Sequence, residues 1–439
     1  MSDTSYKLLY IAYACEPGRG SEWGLGWSYV EEMARTQPVW VIVHEDSRAG
    51  LEKFLSTRHA GYPVHATFVK LPSWLGWMRN SFYTLFNLHY YLWQFAAARA
   101  LRRVHADVKL DLVQHVSLFR WWMPSAGSAL VDDGVGFIFG PVGGGEVLPK
   151  NFRGDSPLYG KFSDLLRYIG RSIWRQDPLL TRCIRRAHLL VAGTPSCETW
   201  FRSYGHPNID LVCSAASSEV VSDVARAARA SRPANQPFTF ASCGGLAYYR
   251  GVDLAIRAFA RAQLPDARYV HVCDGPMRAS LEKLCVELGV ADRVTFMGDI
   301  PHIDCVRVVA QADACVHTVL RDSQGVLCEV MQAGTPVITL DHLTPAMLVT
   351  PECGHLIPMH DNATRESVIA ELADVMRQWH DDPTLVARKG AAASERAKTF
   401  SPQVKGELYR QQHRRVLEML KQSARRPAAP KTASASRAA

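Results

Sequence analysis

The stretch RDSQGVLCEVMQAGTPVITLD, residues 321–341, decides the fold. A turn carrying Asp322, Ser323 and Gly325 leads to a helix expected to open with Glu329. Ala333-Gly334-Thr335-Pro336 then stops the helix, and Val337–Leu340 follows as a buried strand. Freed backbone N–H groups at a helix start suit an anion, and a carboxylate in the first turn can accept hydrogen bonds from sugar hydroxyls. Any α/β domain owns such a turn, so its meaning depends on what flanks it.

Upstream, the same grammar repeats. Phe238–Ser242, Tyr269–Cys273, Val294–Met297 and Ala314–His317 read as strands, with helices between them. Val252, Ala255, Ile256 and Phe259 show the i, i+3, i+4, i+7 spacing of a helix with one apolar face. The loop Gly244–Gly251, with Gly245 and Arg250, follows the first of these strands. Residues 214–236 are small, polar and flanked by proline, which is the composition of a linker.

The N-terminal half alternates in the same way. Lys7–Tyr13, Val39–His44, Ala66–Leu71, Asp111–Ser117, Gly136–Phe139, His188–Ala192 and Leu211–Cys213 read as strands. After the first strand come Gly18, Gly20, Glu22, Gly24 and Gly26, before a helix expected over Ser28–Arg35. Backbone without side chains can approach a ligand closely, although a merely flexible loop has the same composition. Asp111–Ser117 carries His115 near its end, where a parallel sheet offers its ligand crevice. Three glycines, Gly143–Gly145, precede Glu146, which again suggests backbone pressed against a ligand. Residues 74–106 are apolar on nearly every side of a helix, the pattern of a core helix or of a face that leans on a lipid surface.

Together these patterns predict an α/β chain of two Rossmann-like, doubly wound domains facing a cleft. The boundaries are 1–215, a linker at 216–236, 237–398, a helix at 399–420 that crosses back, and a disordered basic tail at 421–439. A length of 439 residues accommodates two such domains. The eleven cysteines show no C-x-x-C spacing, so neither a disulfide framework nor a zinc site is expected. The formal charge of +8 has no basic stripe interleaved with aromatics, which argues against nucleic acid. With no signal peptide and no apolar run of membrane-spanning length, a cytoplasmic chain is expected.

On ACEPGRGSEWGLGW (14–27), DLVQHV (111–116), GPVGGGE (140–146), GGLAYYRGVDLAIRAF (244–259), CDGPMRASLEKL (273–284), VTFMGDI (294–300) and the opening stretch, the chain resembles retaining nucleotide-sugar glycosyltransferases of the GT-B fold, family four. The resemblance implies transfer of a hexose from a nucleoside-diphosphate sugar to a lipid-linked or oligosaccharide acceptor in bacterial surface-polysaccharide synthesis. It implies no cofactor and no metal. It also implies a cytoplasmic location that includes the inner face of the membrane, with peripheral contact there.

Residue by residue, it implies that Glu329 holds the nucleotide ribose and that Arg250 grips the diphosphate. His115 would lie near the donor sugar. Gly18, Gly20, Glu22 and Gly24 would sit beneath the phosphates, and Gly245, Ser323 and Gly325 would bring backbone to the donor. Three positions depart from the family pattern. Gly245 stands where an arginine is usual, Arg321 takes the register of the first of two paired acids with Asp322 one residue closer to Glu329, and Cys273 replaces a glycine. These departures keep open a second class, a catalytically weakened binding or scaffolding protein of the same fold.

Overall fold

The structure is a computed structural model that describes residues 6–19, 21–57, 63–80, 83–154, 157–215, 219–233, 235–321 and 325–425. The first sheet contains β1 (Leu8–Ala12), β2 (Val39–His44), β3 (Val64–Val69), β4 (Leu112–Ser117), β5 (Gly136–Val142), β6 (Leu189–Ala192) and β7 (Ile209–Leu211), in the order β3-β2-β1-β4-β5-β6-β7. The second contains β8 (Thr239–Cys243), β9 (Arg268–Val272), β10 (Val294–Phe296), β11 (Ala314–His317), β12 (Val337–Leu340) and β13 (Gly354–Ile357), in the order β10-β9-β8-β11-β12-β13. The pairings between these strands are parallel. Parallel strands need helical crossovers, which cover both faces and explain why β1, β4, β5 and β8 are buried along their whole length. In each sheet the order reverses beside the first strand, between β1 and β4 and between β8 and β11. These switch points open a crevice at the strands' C-terminal ends.

Several elements differ from the sequence expectation. The first helix runs Ser21–Ala34, seven residues earlier than expected, so Gly24 and Gly26 are helical and do not belong to a loop. The helix of the opening stretch begins at Gly325, which puts Glu329 in its second turn. The stretch expected as a linker contains the helix Glu219–Ala230, whose Val221, Ala225 and Ala228 pack with Val306, Ala310 and Ala333 of the second domain. Small residues at i, i+4 and i+7 suffice for a tight helix contact, and composition alone reads them as linker. β13 is a four-residue edge strand that begins with glycine, too short and irregular to read from sequence.

The aromatic segment 74–106 divides into a 3-10 turn, Ser73–Asn80, and the helix Tyr83–Val108. Tyr90, Trp93, Ala97 and Leu101 of that helix are fully buried in the first domain, so most of its apolar character serves the core.

The last helix, Pro402–Arg425, lies on the first domain, so residues 421–425 continue a helix where a disordered tail was expected. Tyr409 stacks on Tyr29, and His413 reaches Gln114 Oε1 at 2.7 Å. Buried Lys405 donates to the Cys213 carbonyl at 2.9 Å, and burial holds its ammonium down to about 8.

A second link joins the domains near the cleft. The segment after β5 carries Leu148 and Phe152 into the core of the second domain, and Asn151 Nδ2 donates to the carbonyls of Asp361 and Ala363. Beyond it, Asp164 on the helix Leu158–Trp174 pairs with Arg321, and Tyr248 OH lies 3.0 Å from both side chains. Arg321 is only 4% exposed, with its guanidinium 4.1 Å over the Tyr249 ring. Removing one partner leaves a nearly dry charge unmatched. Asp164→Ala is therefore expected to cost about 3 kcal/mol in urea unfolding of the second domain, while Arg321→Met costs less, because it removes the charge that needed the partner.

Candidate functional site

The two sheets face a cleft, and the second domain brings Arg250 to the end of β8. Arg250 closes the 3-10 turn Tyr248–Arg250 that follows β8. Gly251, with φ +62°, comes so close to the Thr318 carbonyl that a Cβ would lie 2.3 Å from that oxygen, so only glycine lets this turn seat against β11. The Arg250 side chain returns over Gly244, and among the described residues it has no ion-pair partner. Its Nε is buried without a hydrogen bond.

Two imidazoles flank it. His271 is bonded to Ser242 Oγ at 2.6 Å and to the Gly244 carbonyl at 2.9 Å, and burial, with Arg250 nearby, lowers its pKa to about 4. His317, at the end of β11, is lowered to about 3 by burial and by Arg250, and its Nε2 is buried without a partner. Both stay neutral at physiological pH, so Arg250 is a half-buried cation flanked by two neutral imidazoles, open to an anion. Sequence reasoning passed over His317. Its place at the end of a strand beside the switch point is the signal that could have found it.

Glu329 projects from the second turn of its helix, and its Oε2 lies 2.8 Å from His302 Nε2. This contact raises the His302 pKa. Gly325 opens the helix, whereas Asp322, Ser323 and Gly20 lie outside the described residues. Gly245 is exposed, and a Cβ there would meet only the Asp274 carbonyl, at 3.6 Å, so the loop has room for the larger side chain that the resemblance leads one to expect. Arg321, in the register of an acid, turns away from this site into its contact with Asp164.

Cys273 holds a backbone conformation that favours glycine, the residue the resemblance leads one to expect there. Its φ is +89°, and its N–H bonds the Gly298 carbonyl at 2.9 Å, which aligns Asp274 to bond Arg278.

The first domain departs further from expectation. His115 is 1% exposed, with Nδ1 at 3.1 Å from Ser125 Oγ and Nε2 at 3.2 Å from the Leu118 carbonyl, and burial lowers its pKa to about 4. Both ring nitrogens are engaged within the protein, and the ring supports the loop after β4. Glu22 accepts the Phe119 N–H at 2.9 and 3.1 Å, which fixes that same loop. Gly18 adopts φ +71° in an open turn.

The glycines expected to meet a ligand mostly meet the protein. A Cβ on Gly24 would lie 2.3 Å from the Arg19 carbonyl oxygen. Gly143 and Gly145 lie against Phe119 and Trp121, where a Cβ would come within 2.1 and 2.6 Å. Glu146 accepts from Thr194 Oγ1 at 2.8 Å and from Ser196 Oγ at 3.0 Å, joining β5 to the helix after β6. All eleven cysteines are free, and no group of three metal-binding side chains occurs among the described residues.

Residues 224–396 match the family model described as Glycosyl transferases group 1. The chain is 30% identical to the 2-deoxystreptamine glucosyltransferase of Streptomyces kanamyceticus over 35% of its own length and 38% of that protein. It is 32% identical to the D-inositol 3-phosphate glycosyltransferase of Corynebacterium efficiens over 36% and 38%. It thus spans well under half the length of these curated relatives. Among solved structures it resembles Anabaena HepE in complex with UDP, at 18% identity over 95% of this chain and all of that one, with a TM-score of 0.56. It also resembles the sucrose-phosphate synthase of Thermosynechococcus elongatus, at 17% identity over 94% and 100%, with a TM-score of 0.59. The fold is the two-domain GT-B arrangement.

Two measurements probe the site. A histidine whose pKa is raised by a carboxylate contributes stability fully below its unfolded value, and loses that contribution as pH rises through the folded value. The His302 ring resonances should therefore titrate above the ordinary histidine range, and Glu329→Gln should return the midpoint to that range. Cys273→Gly should raise stability by about 0.5–1 kcal/mol in thermal melts, because the positive φ strains any residue but glycine.

Proposed function

We propose that the chain is a retaining glycosyltransferase that moves a hexose from a nucleoside-diphosphate sugar to a lipid-linked or oligosaccharide acceptor in polysaccharide synthesis. The observation that carries this reading is Arg250, an unpaired guanidinium at the switch point of the second domain. Departure of a diphosphate concentrates negative charge on its oxygens, and a preorganised cation beside neutral imidazoles stabilises that charge more as it develops. His317, with its unpartnered Nε2, is placed to add a neutral hydrogen bond. Glu329 would accept from the ribose hydroxyls, and a bound ribose would compete with His302 for it.

The glycosyl transfer carried out by the relatives supports the class of reaction, and the UDP bound in HepE supports a nucleoside-diphosphate donor. The donor sugar would be oriented by backbone and by Asp322, and the leaving group needs no metal in this scheme. A lipid-linked acceptor would bring the chain to the inner membrane face.

The second reading, a binding or scaffolding partner with weakened catalysis, is favoured by the diversion of Arg321 from the acid register into an interdomain contact. The two readings separate in one experiment, which measures UDP binding by calorimetry and donor hydrolysis across a panel of nucleotide sugars. Arg250→Ala should weaken UDP binding about tenfold to a hundredfold, as expected for loss of a charge-assisted hydrogen bond. Unchanged affinity would overturn the role of Arg250. UDP binding without turnover of any donor would favour the second reading.

A further inference from the structure

The helix Leu158–Trp174 is amphipathic in the inverted sense. Gly160 is buried and Ser163, Asp164, Arg167 and Gly170 are partly so, whereas Leu158, Phe162, Leu165, Leu166, Ile169 and Ile173 are between 45% and 85% exposed. At the helical period these six fall within an arc of about 100°, so they form one continuous apolar strip facing outward. Among the described residues, none of these six side chains belongs to a core cluster. The inward face is held by Asp164, which pairs with Arg321 and contacts Tyr248.

The surroundings of the strip are basic. Lys161 and Arg175 are exposed on this helix and at its end, and Arg182 and Arg185 on the next helix, Pro178–Arg186. Trp174 meets Tyr91 at 5.7 Å between ring centroids, joining the strip to the helix Tyr83–Val108. That helix exposes Leu88, Phe95, Arg99 and Arg102 along one side, apolar first and then basic. Between the helix Tyr83–Val108 and the helix Pro178–Arg186 lies a groove of about 260 Å3 whose walls include Phe95, Leu179, Arg102, Arg182, Arg186 and Asp132. Three guanidinium charges there face one carboxylate, a balance of +2, and that carboxylate is already tied to Arg186 at 2.7 Å. Among the described residues neither Arg102 nor Arg182 has an ion-pair partner.

We infer that this face docks on an anionic phospholipid bilayer. The strip of the helix Leu158–Trp174 enters the headgroup boundary, and Arg102 and Arg182 meet lipid phosphates. Exposed apolar side chains with a basic rim gain from both apolar burial and surface potential at such an interface. A second copy of the chain would bring the same basic rim against this one and be repelled. Docking here sets the lipid surface beside the cleft, because the inward side of the same helix touches Tyr248 of the Arg250 turn. No helix among the described residues is long and apolar enough to cross a membrane, so the contact is peripheral.

Vesicle flotation of the full chain, without donor or acceptor, tests docking independently of the transferase reading. At low salt the chain is expected to float with vesicles of phosphatidylcholine plus phosphatidylglycerol, to stay behind with phosphatidylcholine alone, and to be released by high salt. The double variant Phe162→Ser/Ile169→Ser and the double variant Arg102→Glu/Arg182→Glu alter exposed positions, so their melting temperatures should match the parent. Each should lower vesicle partitioning by about tenfold or more. The inference is overturned if the parent chain ignores anionic vesicles at low salt or if both folded variants partition like the parent. It is equally overturned if sedimentation shows a dimer that Phe162→Ser/Ile169→Ser dissociates, since the strip would then be a protein interface.

Discussion

A guanidinium removed from water has to be matched, and Arg321 is matched across the domain boundary. Its partner Asp164 belongs to the first half of the chain, and Tyr248, which bridges the pair, belongs to the turn that presents Arg250. One contact therefore fixes three things at once: the position of the helix Leu158–Trp174, the seat of the Arg250 turn, and the start of the segment leading to Glu329. Leu148 and Phe152, buried in the second domain's core, support the same junction from the other side of the segment.

Within the second domain, charge is arranged by exclusion. His271 and His317 are held neutral by burial, and the guanidinium of Arg321 is occupied elsewhere. Among the described residues this leaves Arg250 as a cation without an ion-pair partner at the point where the strand order reverses. It is half-buried, and its position is held by Gly251 against β11.

In the first domain the glycines answer a packing problem. The loop after β4 carries Phe119, Trp121 and Trp122, and these rings occupy the space that side chains at 143, 145 and 193 would need. Glu22 and His115 then secure the loop's backbone from two sides. Residues that resemble a ligand-binding set in sequence thus pack against the loop after β4 and hold it.

The alternation of apolar strands and helices was legible in the sequence because period and strand length are local properties. Val39–His44, Ala314–His317 and Val337–Leu340 stand where the pattern put them. The place of Arg250 in the loop after β8 was legible for the same reason, whereas a role for it came only from the resemblance. What the sequence could not decide was direction. Whether Gly143–Gly145 meet a ligand or an indole, whether His115 faces the cleft or the core, and whether Arg321 serves a donor or Asp164 depends on side chains from segments far away in the chain. The helix Leu158–Trp174 is the clearest case. Its periodicity was present in the sequence, but an apolar face is read as inward by default, and only packing against Tyr248 and Arg321 turned it outward.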